Sequence, residues 1–114
     1  MLIACYAYEG MYQGLHGIED KVVLEVKDME EAQDALNEWG MVASEGLIYS
    51  YGLEDEYLDG DAEGDVSESN YWYDRGWYGY VVKEGKFSSA AEADKELAHH
   101  DFDTFVKLYC DKEI

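Results

Sequence analysis

Carboxylates are the groups this sequence offers in an ordered pattern. Glu30, Asp34, Glu38 and Glu45 recur at intervals of four, four and seven. A helix carrying them presents them along one face, with four-residue neighbours about 6 Å apart down the axis. The stretch from Asp28 to Asp74 holds fifteen Asp and Glu and no Lys, Arg or His. Like charges at four-residue spacing cost an isolated helix a few tenths of a kcal/mol each, whereas interleaved Glu and Lys stabilise it. A row of this kind has two uses. It can be a solvated acidic face, or it can stand in for phosphates in a groove lined by Lys and Arg. Successive phosphates repeat about every 3.4 Å along a strand axis before winding lengthens the path. Binding of the second kind weakens with salt. Paired carboxylates are too abundant here to single out a general acid and its base.

The acidic loop itself continues the pattern through Glu54, Asp55, Glu56, Asp59, Asp61, Glu63, Asp65 and Glu68. Its segment Asp59 to Asn70 resembles the calcium loop of EF-hand proteins. Oxygen side chains fall at the first, third and fifth positions, Gly64 at the sixth, Val66 at the eighth and Ser67 at the ninth. It departs from that pattern at the twelfth position, where Asn70 replaces a bidentate Glu, and Tyr71 to Tyr73 read as strand and not as an exiting helix. The resemblance implies weak calcium binding by Asp59, Asp61, Glu63 and Asp65 and no true EF-hand. His99, His100, Asp101 and Asp103 could be grouped as metal ligands, but adjacent histidines point to different faces of a helix and rarely share one ion. His16 with Cys5 or Cys110 could form a Cys–His nucleophile pair, yet nothing in the spacing brings them together. There is no phosphate-binding P-loop, no nucleophile elbow and no zinc spacing. The expectation is a protein that is not an enzyme and holds no cofactor.

A second constellation is aromatic. Tyr71, Trp72, Tyr73, Trp77, Tyr78 and Tyr80 alternate along an expected hairpin. One side of it belongs to the core. The other would expose large rings beside the acidic loop, and Tyr and Trp are the usual anchors of protein interfaces. Stacking of nucleobases would need a basic groove, and this neighbourhood has only Arg75.

The elements that must position these groups follow from the chain's totals and periodicities. At 114 residues it fits one domain, 1–114, able to bury roughly two-thirds of its unfolded surface without staples. Its 47% hydrophobic and 15% aromatic content separates it from disordered acidic chains, which lack the apolar side chains needed to offset chain entropy. The net charge of −19 repels free DNA, free RNA and anionic membranes, leaving basic proteins, cations or solvent as counterparts. Met1 to Gly10 has no basic n-region and too short an apolar run for a signal peptide, and no stretch reaches transmembrane length. Cytoplasmic residence is expected. Cys5 and Cys110 read as two reduced thiols, with a bridge tying the chain ends left open.

Leu2 to Tyr8, bounded by Gly10, reads as a buried strand, and Lys21 to Val26 as a second one pairing with it as a hairpin. Asp28 with Glu31 three residues later forms a capping box that opens a helix. Met29, Ala32, Leu36, Trp39, Ala43 and Leu47 mark its apolar stripe, and Gly40 marks a break or early end. Residues 53–70 are the acidic loop. Tyr71 to Tyr73 and Trp77 to Val82 read as strands around a turn at Asp74-Arg75-Gly76. Ser89 and Glu92 cap a helix from Ala90 to His99, and Asp101 to Cys110 reads as another. The fold class expected is α+β, a small antiparallel sheet made of the N-terminal hairpin and the aromatic hairpin, packed with one central and one or two C-terminal helices.

Small size, a dense acidic stretch without compensating bases, a compact α+β frame and absent catalytic motifs together resemble the anti-defence proteins of bacteriophages and mobile genetic elements, such as anti-CRISPR and antirestriction proteins that imitate DNA. The junction Val23-Leu24-Glu25-Val26-Lys27-Asp28-Met29-Glu30-Glu31-Ala32 is similar to that of many small phage open reading frames. The resemblance is one of type and covers charge pattern and size. It implies an inhibitor that occupies the basic channel of a nucleic-acid-binding effector, such as a CRISPR nuclease complex. Glu30, Glu31, Asp34, Glu38, Glu45 and the loop acids from Glu54 to Glu68 would replace phosphates, with Trp72 and Trp77 as anchors. The alternatives are a small adaptor that binds its partner through the aromatic hairpin, or a weak calcium-binding module.

Overall fold

The apolar run at the N-terminus forms a strand because both of its faces find cover. Ile3, Ala4, Cys5 and Ala7 are all fully buried, and successive strand residues point to opposite faces, so a helical layer must lie on each side. The computed structural model describes residues 1–11, 18–50 and 73–114. Strands β1 (Leu2–Met11), β2 (Ile18–Glu25), β3 (Tyr73–Val82) and β4 (Cys110–Glu113) form one antiparallel sheet in the order β2-β1-β3-β4. Helix α1 (Met29–Ser50) covers one face; α2 (Ala90–Leu97) and α3 (Phe102–Tyr109) cover the other. The α+β class is as the sequence indicates, and so is the β1–β2 hairpin, whose register runs from Leu2 opposite Glu25 to Glu9 opposite Ile18.

The expected aromatic hairpin is not there. β3 is one continuous strand, pairing with β1 from Ile3 opposite Val81 to Met11 opposite Tyr73. Gly76 serves packing and not turning: a Cβ at that position would lie 2.9 Å from the Tyr8 hydroxyl. The residue is small so that a neighbouring ring can lie across the strand. The second partner of β3 is β4, which replaces the last residue of the expected C-terminal helix. Cys110 is extended, with φ −115° and ψ 157°, and follows directly on α3. α2 likewise ends at Leu97, two residues before His99.

Nor does Gly40 break α1, which runs 22 residues without interruption. A Cβ at Gly40 would sit 2.1 Å from Cγ of Trp77, so the glycine admits the indole of β3 against the helix backbone. Further along, Leu36 of α1 lies over Gly79 of β3. A mid-helix glycine costs about 1 kcal/mol in propensity, and the close approach of helix and sheet offsets it. Ile3, Cys5, Val26, Ala32 and Leu36 form the core on this face. On the other face Ala4, Val23 and Val82 of the sheet meet Ala93, Leu97, Phe102 and Phe105 of the helices.

Carboxylates close the helix ends and one sheet edge. Asp28 accepts the Glu31 N–H at 2.9 Å, and Glu31 accepts the Lys27 N–H. At α2 the geometry repeats: Ser89 accepts from Glu92 at 3.1 Å while Glu92 accepts the Ser88 N–H at 2.9 Å. Asp101 accepts the Thr104 N–H at 2.8 Å. On edge strand β2, the N–H groups of Lys21 and Val23 donate to Asp20 at 2.8 Å and Asp94 at 3.0 Å. Edge β4 is short and carries Asp111, Lys112 and Glu113, all exposed. Both devices discourage pairing with another chain.

Adding a methyl group at Gly40 tests the helix–sheet contact. Despite its better helix propensity, Gly40→Ala is expected to cost about 1–3 kcal/mol in urea unfolding, because the indole has to shift in a packed layer. In a Trp77→Ala background, which removes the ring atoms nearest that methyl group, the cost of Gly40→Ala should be smaller in a double-mutant cycle.

Candidate functional site

The acidic row exists as a surface feature of α1. Glu30, Asp34 and Glu38 are all exposed, and the helix spaces them about 6 Å apart along its axis. The α1 stripe formed by Ala32, Leu36 and Gly40 is buried, which fixes the rotation of the helix and turns the row outward. Among the described residues none of the three makes a hydrogen bond or ion pair; the single ion pair is His100 with Glu96 at 2.9 Å. Glu31 is also exposed but differs from them, because its carboxylate is engaged by the Lys27 N–H. Glu45 lies within the backbone span of α1. The loop acids Glu54, Asp55, Glu56, Asp59, Asp61, Glu63, Asp65 and Glu68, the calcium-like segment 59–70 and Trp72 lie outside the described residues.

Trp77 takes a different place from the exposed anchor that the sequence suggests. It is half-buried on the α1 side of the sheet, packed on Gly40, and its indole N–H donates to Asn37 Oδ1 at 3.3 Å. It holds α1 to the sheet and so positions the carboxylate row instead of extending it.

Elsewhere the acids have internal work. Hydrogen bonds from the Ser88 hydroxyl and then the Ser88 N–H hold the Glu92 carboxyl below its ordinary value, and His100 followed by Tyr109 does the same for Glu96. The Thr104 backbone and side chain lower Asp101. The row on α1 has no such partners. No group of three or more His, Cys, Asp or Glu side chains arranged for a metal occurs among the described residues. His100 is taken up by Glu96, and its carbonyl accepts from the Lys21 ammonium.

Cys5 and Cys110 are both buried and unbridged. They belong to opposite faces of the sheet, which settles the possibility of a bridge. Burial pushes Cys5 up to about 12; burial, aided by Asp111, pushes Cys110 up to about 11. Neither is a nucleophile at neutral pH. No described helix is long and apolar enough to cross a membrane.

Sequence reasoning missed a tyrosine surface on the face opposite α1. Tyr6 and Tyr78 pair across β1 and β3 with ring centroids 5.3 Å apart; Tyr8 and Tyr80 flank them at 6.2 and 6.0 Å. The signal was available. Tyr6-Ala7-Tyr8 and Tyr78-Gly79-Tyr80 each alternate a ring with a small residue, which sends the rings to one face and leaves room for a helix on the other.

Three outcomes are expected. Neither thiol should react with a disulfide reagent at pH 8 in the native protein, and both should react on unfolding. Unfolding midpoints in urea at neutral pH should rise from about 0.01 M to about 0.15 M salt, as the screening length shortens from roughly 30 to 8 Å. Because Glu92 is lowered in the folded state, its contribution is complete above the ordinary value of 4.5 and is lost as pH falls through the lowered one. Glu92→Gln should therefore be less stable than the parent at pH 7, with the gap narrowing as pH falls below 4.5.

No protein-family model, curated protein or solved structure matches this chain. What it does has to be read from its own surface.

Proposed function

We propose that this protein is a non-enzymatic inhibitor that binds the basic groove of a nucleic-acid-binding effector, with the α1 carboxylates taking the places of phosphates. One observation carries the reading: Glu30, Asp34 and Glu38 stand exposed in a line on one helix, without a hydrogen bond or ion pair among the described residues. An ordinary surface helix would interleave Lys and gain a few tenths of a kcal/mol per pair. Here the unpaired charges add to a net charge of −19, and their repulsion is relieved when the row meets cations on another macromolecule. Lys and Arg side chains that grip phosphate supply them. Of the proteins that carry such grooves, defence nucleases of the CRISPR type hold nucleic acid in a positively charged channel and fit the charge pattern of the chain.

The docking of α1 through Trp77 and Gly40 matters to this reading, since a carboxylate row competes with nucleic acid only if its spacing is fixed before the encounter. The encounter itself would be fast and steered by charge.

The test is charge reversal. Glu30→Lys, Asp34→Lys and Glu38→Lys together should leave the far-UV spectrum unchanged, since none of the three has an internal partner. They should lower affinity for a CRISPR-type nuclease more than a hundredfold and restore its DNA binding in a competition assay. The parent's affinity should fall steeply between low and moderate salt. Reversed protein that competes as well as the parent would sink the reading, and salt-insensitive binding would transfer the contact to the aromatic face.

A further inference from the structure

The tyrosine surface on the α2/α3 side carries a separate chemistry. Tyr6, Tyr8, Tyr78 and Tyr80 are each half-buried, so part of each ring remains accessible to solvent. Phe102, buried, backs three of them, with centroids 5.1 Å from Tyr6, 5.7 Å from Tyr78 and 6.2 Å from Tyr80. Tyr8 continues the row two residues further along β1, lying over Gly76. Two exposed carboxylates flank the pair Tyr6–Tyr78. Glu19, opposite Tyr8 in the β1–β2 register, accepts the Tyr6 hydroxyl; Asp103, in the first turn of α3, has no hydrogen bond or ion pair among the described residues. Both lie close enough to act on both phenols: burial first, and these carboxylates in addition, hold Tyr6 and Tyr78 above their ordinary values. A phenol is neutral at physiological pH, and the face of an aromatic ring carries partial negative charge. Lys21, opposite Tyr6 in register, is already committed through its ammonium to the His100 carbonyl.

We propose that this shelf docks an arginine side chain of a partner protein, the guanidinium stacking on the Tyr6 and Tyr78 rings and donating to Glu19 and Asp103. Charge complementarity selects the occupant. Ring faces attract a planar, weakly hydrated cation, and carboxylates accept its N–H groups at the plane's edge. A lysine ammonium is more strongly hydrated and cannot stack. A nucleobase would bring a phosphate toward Glu19 and Asp103, which repel it. The shelf lies across the sheet from α1, so it is a second contact surface and stands or falls apart from the acidic row.

The experiment is a titration of the full chain with end-capped tetra-arginine and tetra-lysine peptides, followed through the ring resonances of Tyr6 and Tyr78. Saturable shifts of these rings with tetra-arginine, at an affinity at least threefold above that of tetra-lysine, are expected. Glu19→Gln with Asp103→Asn should weaken the tetra-arginine affinity at least fivefold with the thermal midpoint unchanged or raised. Tyr78→Leu should weaken it too, and the carboxamide pair keeps the test decisive if that variant fails to fold. Equal binding of both peptides, ring resonances that do not move, or indifference to the carboxamide pair would each overturn the proposal. Because the rings and not α1 are read, failure here leaves the acidic-row reading untouched, and failure of charge reversal on α1 leaves this one untouched.

Discussion

The burial of β1 on both faces is the constraint from which the rest of the architecture follows. A strand whose Ile3, Ala4, Cys5 and Ala7 are all inaccessible has to be central, has to be paired on both sides, and has to be covered above and below. β2 and β3 supply the pairing, α1 one cover, and α2 with α3 the other. Because the strand's side chains are mostly small, the helices approach closely, and Gly79 of β3 and Gly40 of α1 extend that closeness to the neighbouring strand. The three layers are held by apolar contact and ring packing, which do not depend on the charge that dominates the composition.

That separation lets so acidic a chain fold. Asp28, Glu31, Glu92 and Asp101 satisfy backbone N–H groups at helix starts, and Asp20 and Asp94 those of the β2 edge. Helix N-termini carry partial positive charge, so carboxylates placed there stabilise. Among the described residues, part of the repulsion left over falls on the outer face of α1, where Glu30, Asp34 and Glu38 have no internal partner. The acids therefore divide into those that build the fold and those that the fold merely carries, and the second group is where a functional argument belongs. Glu31 shows that membership cannot be read from exposure alone: it is exposed, as Glu30 is, and yet is a cap.

The two faces of the sheet also divide the aromatic residues by role. Trp77 sits beneath α1 and fixes the helix; Tyr6 and Tyr78 sit half-buried on the opposite side with carboxylates nearby. Alternation along β3 separates residues 77 and 78 into these unrelated environments, so the aromatic cluster is not one site but two surfaces back to back.

Local spacing alone was enough to determine the α+β class, the β1–β2 hairpin, the capped starts of α1 and α2 and the row Glu30, Asp34 and Glu38, because each depends on periodicity or on a side chain reaching three residues along the chain. Other features needed partners distant in sequence. Asp74-Arg75-Gly76 has the composition of a turn, and pairing with β1 keeps it extended. Gly40 has the composition of a helix break, and the Trp77 ring fills its missing side chain. Cys110 continues an apolar helical pattern, and the free edge of β3 draws it into a strand. In each case a local preference worth about 1 kcal/mol or less gave way to hydrogen bonds and ring packing supplied by another element, and such contacts are decided only once the layers have closed on β1.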